Sequence, residues 1–122
     1  MTASTPSTTQ SFGLPELYQT EWCPVSRRVR ERLTELDVVY VARQVPVDRD
    51  ERSELLMRTG ADSIPTLVSE DGEVLVGEDE ILAYLDGRFD EPSAADAHRL
   101  KAIKARKREL EEAGRWLEPS TH

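Results

Sequence analysis

The chain has 122 residues, of which 33% are charged and 38% hydrophobic, and its formal net charge is −8. That length fits one domain with a tail, and so acidic a balance argues against a nucleic-acid partner, since phosphate binding needs a basic surface. A single cysteine, Cys23, excludes an internal disulfide and a multi-cysteine zinc site, so neither a stapled secreted scaffold nor a bound metal is expected.

Residues 1–12 are polar and rich in serine and threonine, which predicts a disordered lead-in. They show no basic cluster followed by an apolar run, so they do not read as a signal peptide. No stretch approaches the roughly 20 apolar residues of a membrane-spanning helix, so no membrane association is expected. The expected compartment is the cytoplasm.

Leu14 to Thr20 holds Leu14, Leu17 and Tyr18 and predicts a short buried strand. Cys23 follows in Trp22-Cys23-Pro24-Val25-Ser26, with Pro24 where the first turn of a helix tolerates it. Val25, Val29, Leu33 and Leu36 recur at helical spacing and predict a helix over 24–36 with that stripe inward. Cys23 thus falls at a helix N-terminus. Unpaired N–H groups and the helix dipole there favour an exposed thiolate of lowered pKa. The competing reading is a small buried hydrophobe, the usual fate of a free cysteine.

Val38 to Val47 is β-branched and contains Pro46, which predicts a second strand at a sheet edge, parallel to the first through a right-handed crossover. Asp50 to Thr59 predicts a helix ending at Gly60. Thr66–Ser69 and Glu73–Val76 flank Glu70-Asp71-Gly72, a strong hairpin signal. Asp79 to Phe89 predicts a further helix, with Ile81, Leu82, Tyr84, Leu85 and Phe89 on its inner face. After Pro92, Ser93 to Asp96 resembles a capping box and opens a long helix over 93–113. Ile103, Leu110 and Leu117 lie at seven-residue intervals, and Leu100 joins their face. All three lysines lie on this last segment, whose charge run reads as a solvated face or as a docking surface for an acidic protein partner or for the acidic body of the chain itself. The order β-α-β-α-β-β-α plus an extra helix is an α/β domain.

These motifs carry a specific resemblance. Cys23-Pro24-Val25-Ser26 after a first strand, Val45-Pro46-Val47-Asp48 closing a second, and Gly60 to Val68 entering a third resemble a glutaredoxin, as does the Asp71-Gly72 hairpin. Gly77 to Leu85 resembles the matching segment of a glutathione transferase N-terminal domain. The resemblance runs from about Leu14 to Phe89. It implies a thioredoxin fold over 13–90, with residues 91–122 as a helical extension. It also implies a mixed sheet with helices on both faces and a cis peptide between Ile64 and Pro65.

The activity that the resemblance implies is thiol-disulfide exchange of the monothiol kind. Cys23 would be the nucleophile, and glutathione or another low-molecular-weight thiol the co-substrate. Ser26 stands where a second cysteine is usual, so it cannot close a disulfide. Its hydroxyl either donates to the thiolate or is a solvated first-turn serine. Trp22 is an aromatic wall beside the sulfur or a core residue. Pro24, Ile64, Pro65, Glu78 and Asp79 complete the implied glutathione site. Ile64 would offer backbone groups, and Asp79 would hold the γ-glutamyl end, although Glu78 and Asp79 also read as ordinary helix-capping acids. Glu21 and Asp62 stand where cations are frequent in the family, which weakens the expected anion site. Arg27, Arg28 and Arg58 are the candidates to compensate. His98 and His122 read as surface residues. Two other readings stay open: a non-catalytic binding module, and a transferase-like domain conjugating electrophiles. Against the latter, residues 93–122 are too short to supply the helical bundle of a transferase.

Overall fold

The computed structural model describes residues 13–117, so the predicted lead-in at 1–12 and His122 lie outside the described residues. The elements in chain order are β1 (Glu16–Gln19), α1 (Pro24–Glu35), β2 (Val41–Gln44), a 3-10 turn (Arg49–Glu51), α2 (Ser53–Thr59), β3 (Thr66–Val68), β4 (Val74–Val76), α3 (Glu78–Arg88) and α4 (Ala95–Leu117). The sheet runs β2-β1-β3-β4. β1 pairs parallel with β2 and antiparallel with β3, and β3 pairs antiparallel with β4. This is the thioredoxin fold with a C-terminal helix added, and β2 lies at the edge as Pro46 predicts.

The two sheet faces follow from strand alternation. Leu17, Leu67 and Leu75 point to one face and pack with Val29, Leu33 and Leu36 from the α1 segment and Ile81 and Leu85 of α3. Tyr18 and Val68 point to the other face and meet Leu55 of α2. Every residue of β1 is buried, because it is flanked by strands on both sides and covered on both faces. The peptide between Ile64 and Pro65 is cis.

Three local outcomes differ from the sequence reading. The expected helix over 50–59 is broken at Arg52, which ends the 3-10 turn and starts α2. Arg52 is buried and donates to the carbonyls of Pro46 at 2.8 Å, Val47 at 3.0 Å and Asp62 at 2.9 Å. Three carbonyl bonds made by one buried guanidinium outweigh continuing the helix. Leu56 and Met57 are then left on the exposed side. Secondly, β2 starts only at Val41. Asp37 takes a left-handed φ of 59° and Val38 N–H closes back onto Leu33 O, so the chain turns before it can extend. Thirdly, α4 starts at Ala95 rather than Ser93, with Ala95 N–H donating to Pro92 O. The hairpin forms as predicted: Gly72 supplies the positive φ of 91°, and Gly72 N–H donates to Ser69 O at 2.9 Å.

Charge on the sheet and on the helices is paired by arginine. Glu16 is buried on β1, and it accepts from Arg43 at 2.9 Å and from Arg58 at 3.1 and 3.2 Å. Burial pushes its pKa up, but the bonds and charges of Arg58 and Arg43 outweigh that and hold it below the ordinary value. At the other side of the molecule, Arg32 of α1 bonds Glu35, Asp86 and Glu91, and Arg99 of α4 bonds Glu35, Glu91 and Asp96. This network ties α1, α3 and the start of α4 together. Hydrogen bonds from Arg99 and Arg32 hold the Glu91 carboxyl down to about 2.

A pH dependence follows. The folded pKa of Glu91 lies below its unfolded value of 4.5, so its stabilising contribution is complete above that pH and disappears as pH falls toward 2. Glu91→Gln is expected to lower the urea midpoint at pH 7, with the gap from the parent closing as the pH is brought down to about 2. A gap that stays constant across that titration would show that the carboxylate charge contributes nothing there.

Candidate functional site

Three segments converge on one end of the sheet. The β1 strand runs toward Cys23, and its residue Tyr18 pairs with Thr66, the first residue of β3. Pro65 directly precedes that residue. Thr66 also pairs with Val76, the last residue of β4, and Gly77 N–H donates to Pro65 O at 2.9 Å. The start of α1, the cis-proline and the start of α3 therefore share an edge. The implied site residues Cys23, Ser26, Ile64, Pro65, Glu78 and Asp79 lie in these three segments.

Cys23 is the N-cap of α1, with φ −79° and ψ 117°. Its sulfur accepts the Ser26 N–H at 3.3 Å, and its carbonyl accepts from Arg27 N–H at 3.0 Å. The sulfur thus takes the place that a serine or aspartate oxygen fills in an ordinary N-cap. Burial pushes the thiol pKa up. The Ser26 hydroxyl, the backbone N–H groups of Ser26 and Val25, and the charge of Arg30 outweigh this and leave the pKa below the ordinary value.

The expectation of an exposed sulfur is corrected: Cys23 is only 8% exposed. It nevertheless belongs to neither hydrophobic cluster. Its surroundings are the polar start of a helix, where the N–H groups of Val25 and Ser26 and the charge of Arg30 favour negative charge, and not the apolar interior of the competing reading.

Ser26 is fully buried, so the solvated first-turn reading is also corrected. Its Oγ makes no hydrogen bond of standard geometry with the thiol form, yet it is near enough to be the strongest lowering influence on Cys23. Such a hydroxyl gains an acceptor when the thiol ionises. Trp22 is 62% exposed, which removes the core reading and leaves a ring at the surface next to the sulfur in sequence. Pro24, at the first position of α1, is exposed.

Glu78 is not a simple cap. It accepts from Arg28 of α1, including a 3.1 Å bond from Nη2, and so bridges the starts of α1 and α3. Glu80 instead reaches back to Val76 N–H at 3.0 Å, and Asp79 is exposed on the first turn. The acids that weakened the expected anion site are themselves paired. Asp62 bonds Arg49 at 2.6 Å, and Glu21 accepts from Gln19 at 3.0 Å and faces Arg30 at 3.5 Å. Of the arginines named as compensating, Arg27 pairs with Glu109, Arg28 with Glu78 and Arg58 with Glu16. Arg30 and Arg49 are the ones the sequence reading missed, because their partners come from other elements. Spacing along α1 does put Arg30 seven residues after Cys23, two turns along the same helix.

A groove of about 470 Å³ runs between α1 and α4, lined by Arg27, Arg30, Tyr40, His98 and Lys101 among others. Of the residues the sequence reading named for the site, only Arg27, a candidate for its anion end, lines this groove, and its walls are mostly charged. His98 is exposed there, as expected. No helix among the described residues is long and apolar enough to cross a membrane.

Residues 17–93 match the family described as glutathione S-transferase, N-terminal domain. A glutathione S-transferase domain-containing protein of Marinobacter aquaeolei is 30% identical with a TM-score of 0.54, over 64% of this chain and 40% of that one. A trimeric glutathione transferase of Leishmania shares the fold with a TM-score of 0.60 at 23% identity, over 68% of this chain and 18% of that one. A rice glutathione transferase solved with glutathione does so with a TM-score of 0.54 at 24% identity, over 78% of this chain and 43% of that one. The chain thus spans less than half the length of each of these relatives. Comparison with curated proteins returns no significant match. On the extent of the family match and on the thioredoxin fold that carries it, the chain belongs to the glutathione S-transferase N-terminal domain family.

Proposed function

We propose that this domain is a monothiol thiol-disulfide oxidoreductase acting on mixed disulfides of glutathione or another low-molecular-weight thiol. The observation that carries the reading is the sulfur of Cys23 serving as the cap of α1, bonded to Ser26 N–H at 3.3 Å, with a lowered pKa. The relative from rice is solved with glutathione, which makes that thiol the first to try.

The Cys23 thiolate attacks the small-thiol sulfur of a mixed disulfide. The disulfide bond breaks, the substrate leaves as a thiolate and takes a proton from water, and Cys23 is left joined to the small thiol. A second small thiolate attacks that adduct. Cys23 leaves as thiolate and the two small thiols depart as their disulfide. In sum, one free small thiol and the mixed disulfide give the substrate thiol and the disulfide of the small thiol, so no second protein cysteine is needed. In this reading Ser26 Oγ donates to the Cys23 thiolate each time it forms. Ile64 offers its backbone beside Pro65, Glu78 and Asp79 receive the γ-glutamyl end, and Trp22 and Pro24 border the sulfur.

Ser26→Ala is expected to leave the fold intact and raise the pKa of Cys23, since it removes the strongest lowering contact. The pH profile of alkylation by iodoacetamide should move upward, with roughly three- to tenfold slower labelling at pH 7. An unchanged profile would remove Ser26 from the mechanism.

One observation favours a second reading, a binding module without turnover: Cys23 is 8% exposed. Alkylation of the unmodified chain decides between them. Rapid labelling with a midpoint below the ordinary cysteine value supports the enzyme, whereas slow labelling with an ordinary midpoint supports the module.

A further inference from the structure

Gln19, the last residue of β1, is fully buried, and both ends of its amide are held. Its Nε2 donates to Glu21 at 3.0 Å, and its Oε1 accepts from Arg30 of α1. The same guanidinium donates to Thr20 O at 3.2 Å and faces the Glu21 carboxylate at 3.5 Å. Thr20 O also accepts the Cys23 N–H at 3.4 Å. One side chain therefore binds the end of β1 and the connection that carries Cys23 into α1.

Arg30 reaches this connection because side chains on a helix lean toward its N-terminus. It stands seven residues after Cys23 and turns back to the start of the helix. Its side chain is 17% exposed, whereas that of Glu21 is 68% exposed. A sheltered charge is less screened than a solvated one, so the arginine acts on its surroundings more strongly than the glutamate beside it. The positive charge of Arg30 is one of the influences that hold the Cys23 thiol below its ordinary pKa. The other charged groups at this end are engaged elsewhere. Cys23 also feels Arg28, but that residue is exposed and paired with Glu78 of α3. Arg27 faces Glu109 of α4. Tyr40, just before β2, borders Arg30, and burial pushes its pKa up and keeps it neutral.

We propose that Arg30 is the positioning residue of this site: it clamps the Gln19–Cys23 connection onto α1 and directs a positive charge at the Cys23 thiolate, and Glu21 offsets part of that charge. The inference rests on the thiol chemistry proposed above and deepens it. Exchange starts from the thiolate, so a charge that favours the thiolate raises the reactive fraction at neutral pH. Arg30 and Glu21 then act on the sulfur with opposite signs, although neither belongs to the segments that would hold the small thiol.

The test reads the pH dependence of iodoacetamide labelling in the full 122-residue chain, where Cys23 is the single cysteine, alongside thermal unfolding. Arg30→Met removes clamp and charge together. It should lower Tm and move the labelling midpoint upward, with about fivefold slower labelling below the midpoint. Arg30→Lys keeps the charge with fewer bonds, so its midpoint should return close to that of the parent while its Tm stays lower. Glu21→Gln keeps an acceptor for Gln19 and removes only the negative charge. Its midpoint should move downward, with about twofold faster labelling below it. Opposite shifts from two neighbouring residues mark charge acting on the thiol, and a purely structural clamp would not produce them. An Arg30→Met midpoint equal to the parent's overturns the proposal, and so does a Glu21→Gln midpoint that is unchanged or raised. Where Arg30→Met does not fold, the Glu21→Gln measurement decides alone. Labelling needs no turnover, so a chain that shows these shifts without exchange activity refutes the proposed function and leaves the role of Arg30 in place.

Discussion

Cys23→Ser is expected to abolish reduction of a glutathionylated peptide, with a loss of about a thousandfold or down to the uncatalysed background. The reason is electronic as much as positional. The Cys23 sulfur accepts from Ser26 N–H and caps α1, and a serine hydroxyl can make the same bond, so the fold should survive. A serine hydroxyl does not ionise near neutral pH, and the lowered thiol pKa has no counterpart in it. Circular dichroism and the unfolding midpoint should therefore match the parent while turnover disappears. The assay couples release of the free peptide thiol to a small-thiol reductant. Activity that persists in the serine variant would show that the exchange does not pass through Cys23, and the proposed function would fall with it.

The second large effect is on stability. Arg52→Met removes a guanidinium that holds the carbonyls of Pro46, Val47 and Asp62 and leaves them without their buried partner. Charge-assisted bonds of this kind contribute about 1.5–3 kcal/mol each but do not add, so a loss of about 3 kcal/mol is expected. For a chain of this size that is a fall of roughly 10–20 °C in Tm. The consequence reaches the site, because Asp62 lies just before Ile64 and Pro65, and Arg52 links that loop to the end of β2. In the variant, affinity for the small-thiol substrate should weaken more than the alkylation rate of Cys23, since the sulfur is held by α1 and not by this loop. Arg52→Lys should recover part of the stability through a single retained bond. A Tm within a few degrees of the parent would mean that the three carbonyls are satisfied by solvent and that Arg52 is not a positioning residue.

Much of this molecule is legible in the order of its residues. The helical stripe Val29, Leu33 and Leu36, the Asp71-Gly72 turn, the left-handed Gly60 and the edge position announced by Pro46 each depend on neighbours a few residues away. Periodicity and turn chemistry are local properties, so they survive without knowledge of the fold. Cys23 at the start of a helix was legible for the same reason, because Pro24 and the stripe behind it define where the helix begins.

What the sequence alone could not supply is the set of contacts between elements. Residues such as Arg52, Arg30 and Arg49 look like unremarkable surface charges until the chain closes and Asp62, Gln19, Thr20 and Glu21 arrive beside them. The same holds for Glu78, which spacing describes as a capping acid and which tertiary packing turns toward Arg28. Whether Cys23 and Ser26 face water was likewise undecided, because exposure depends on what the rest of the sheet brings over the helix start. Hydrophobic period and backbone propensity act over a turn or two of chain, whereas burial and ion pairing act through space. Residues 23 and 78 are far apart along the chain, and only the pairing of β1, β3 and β4 places the helices that carry them at one edge.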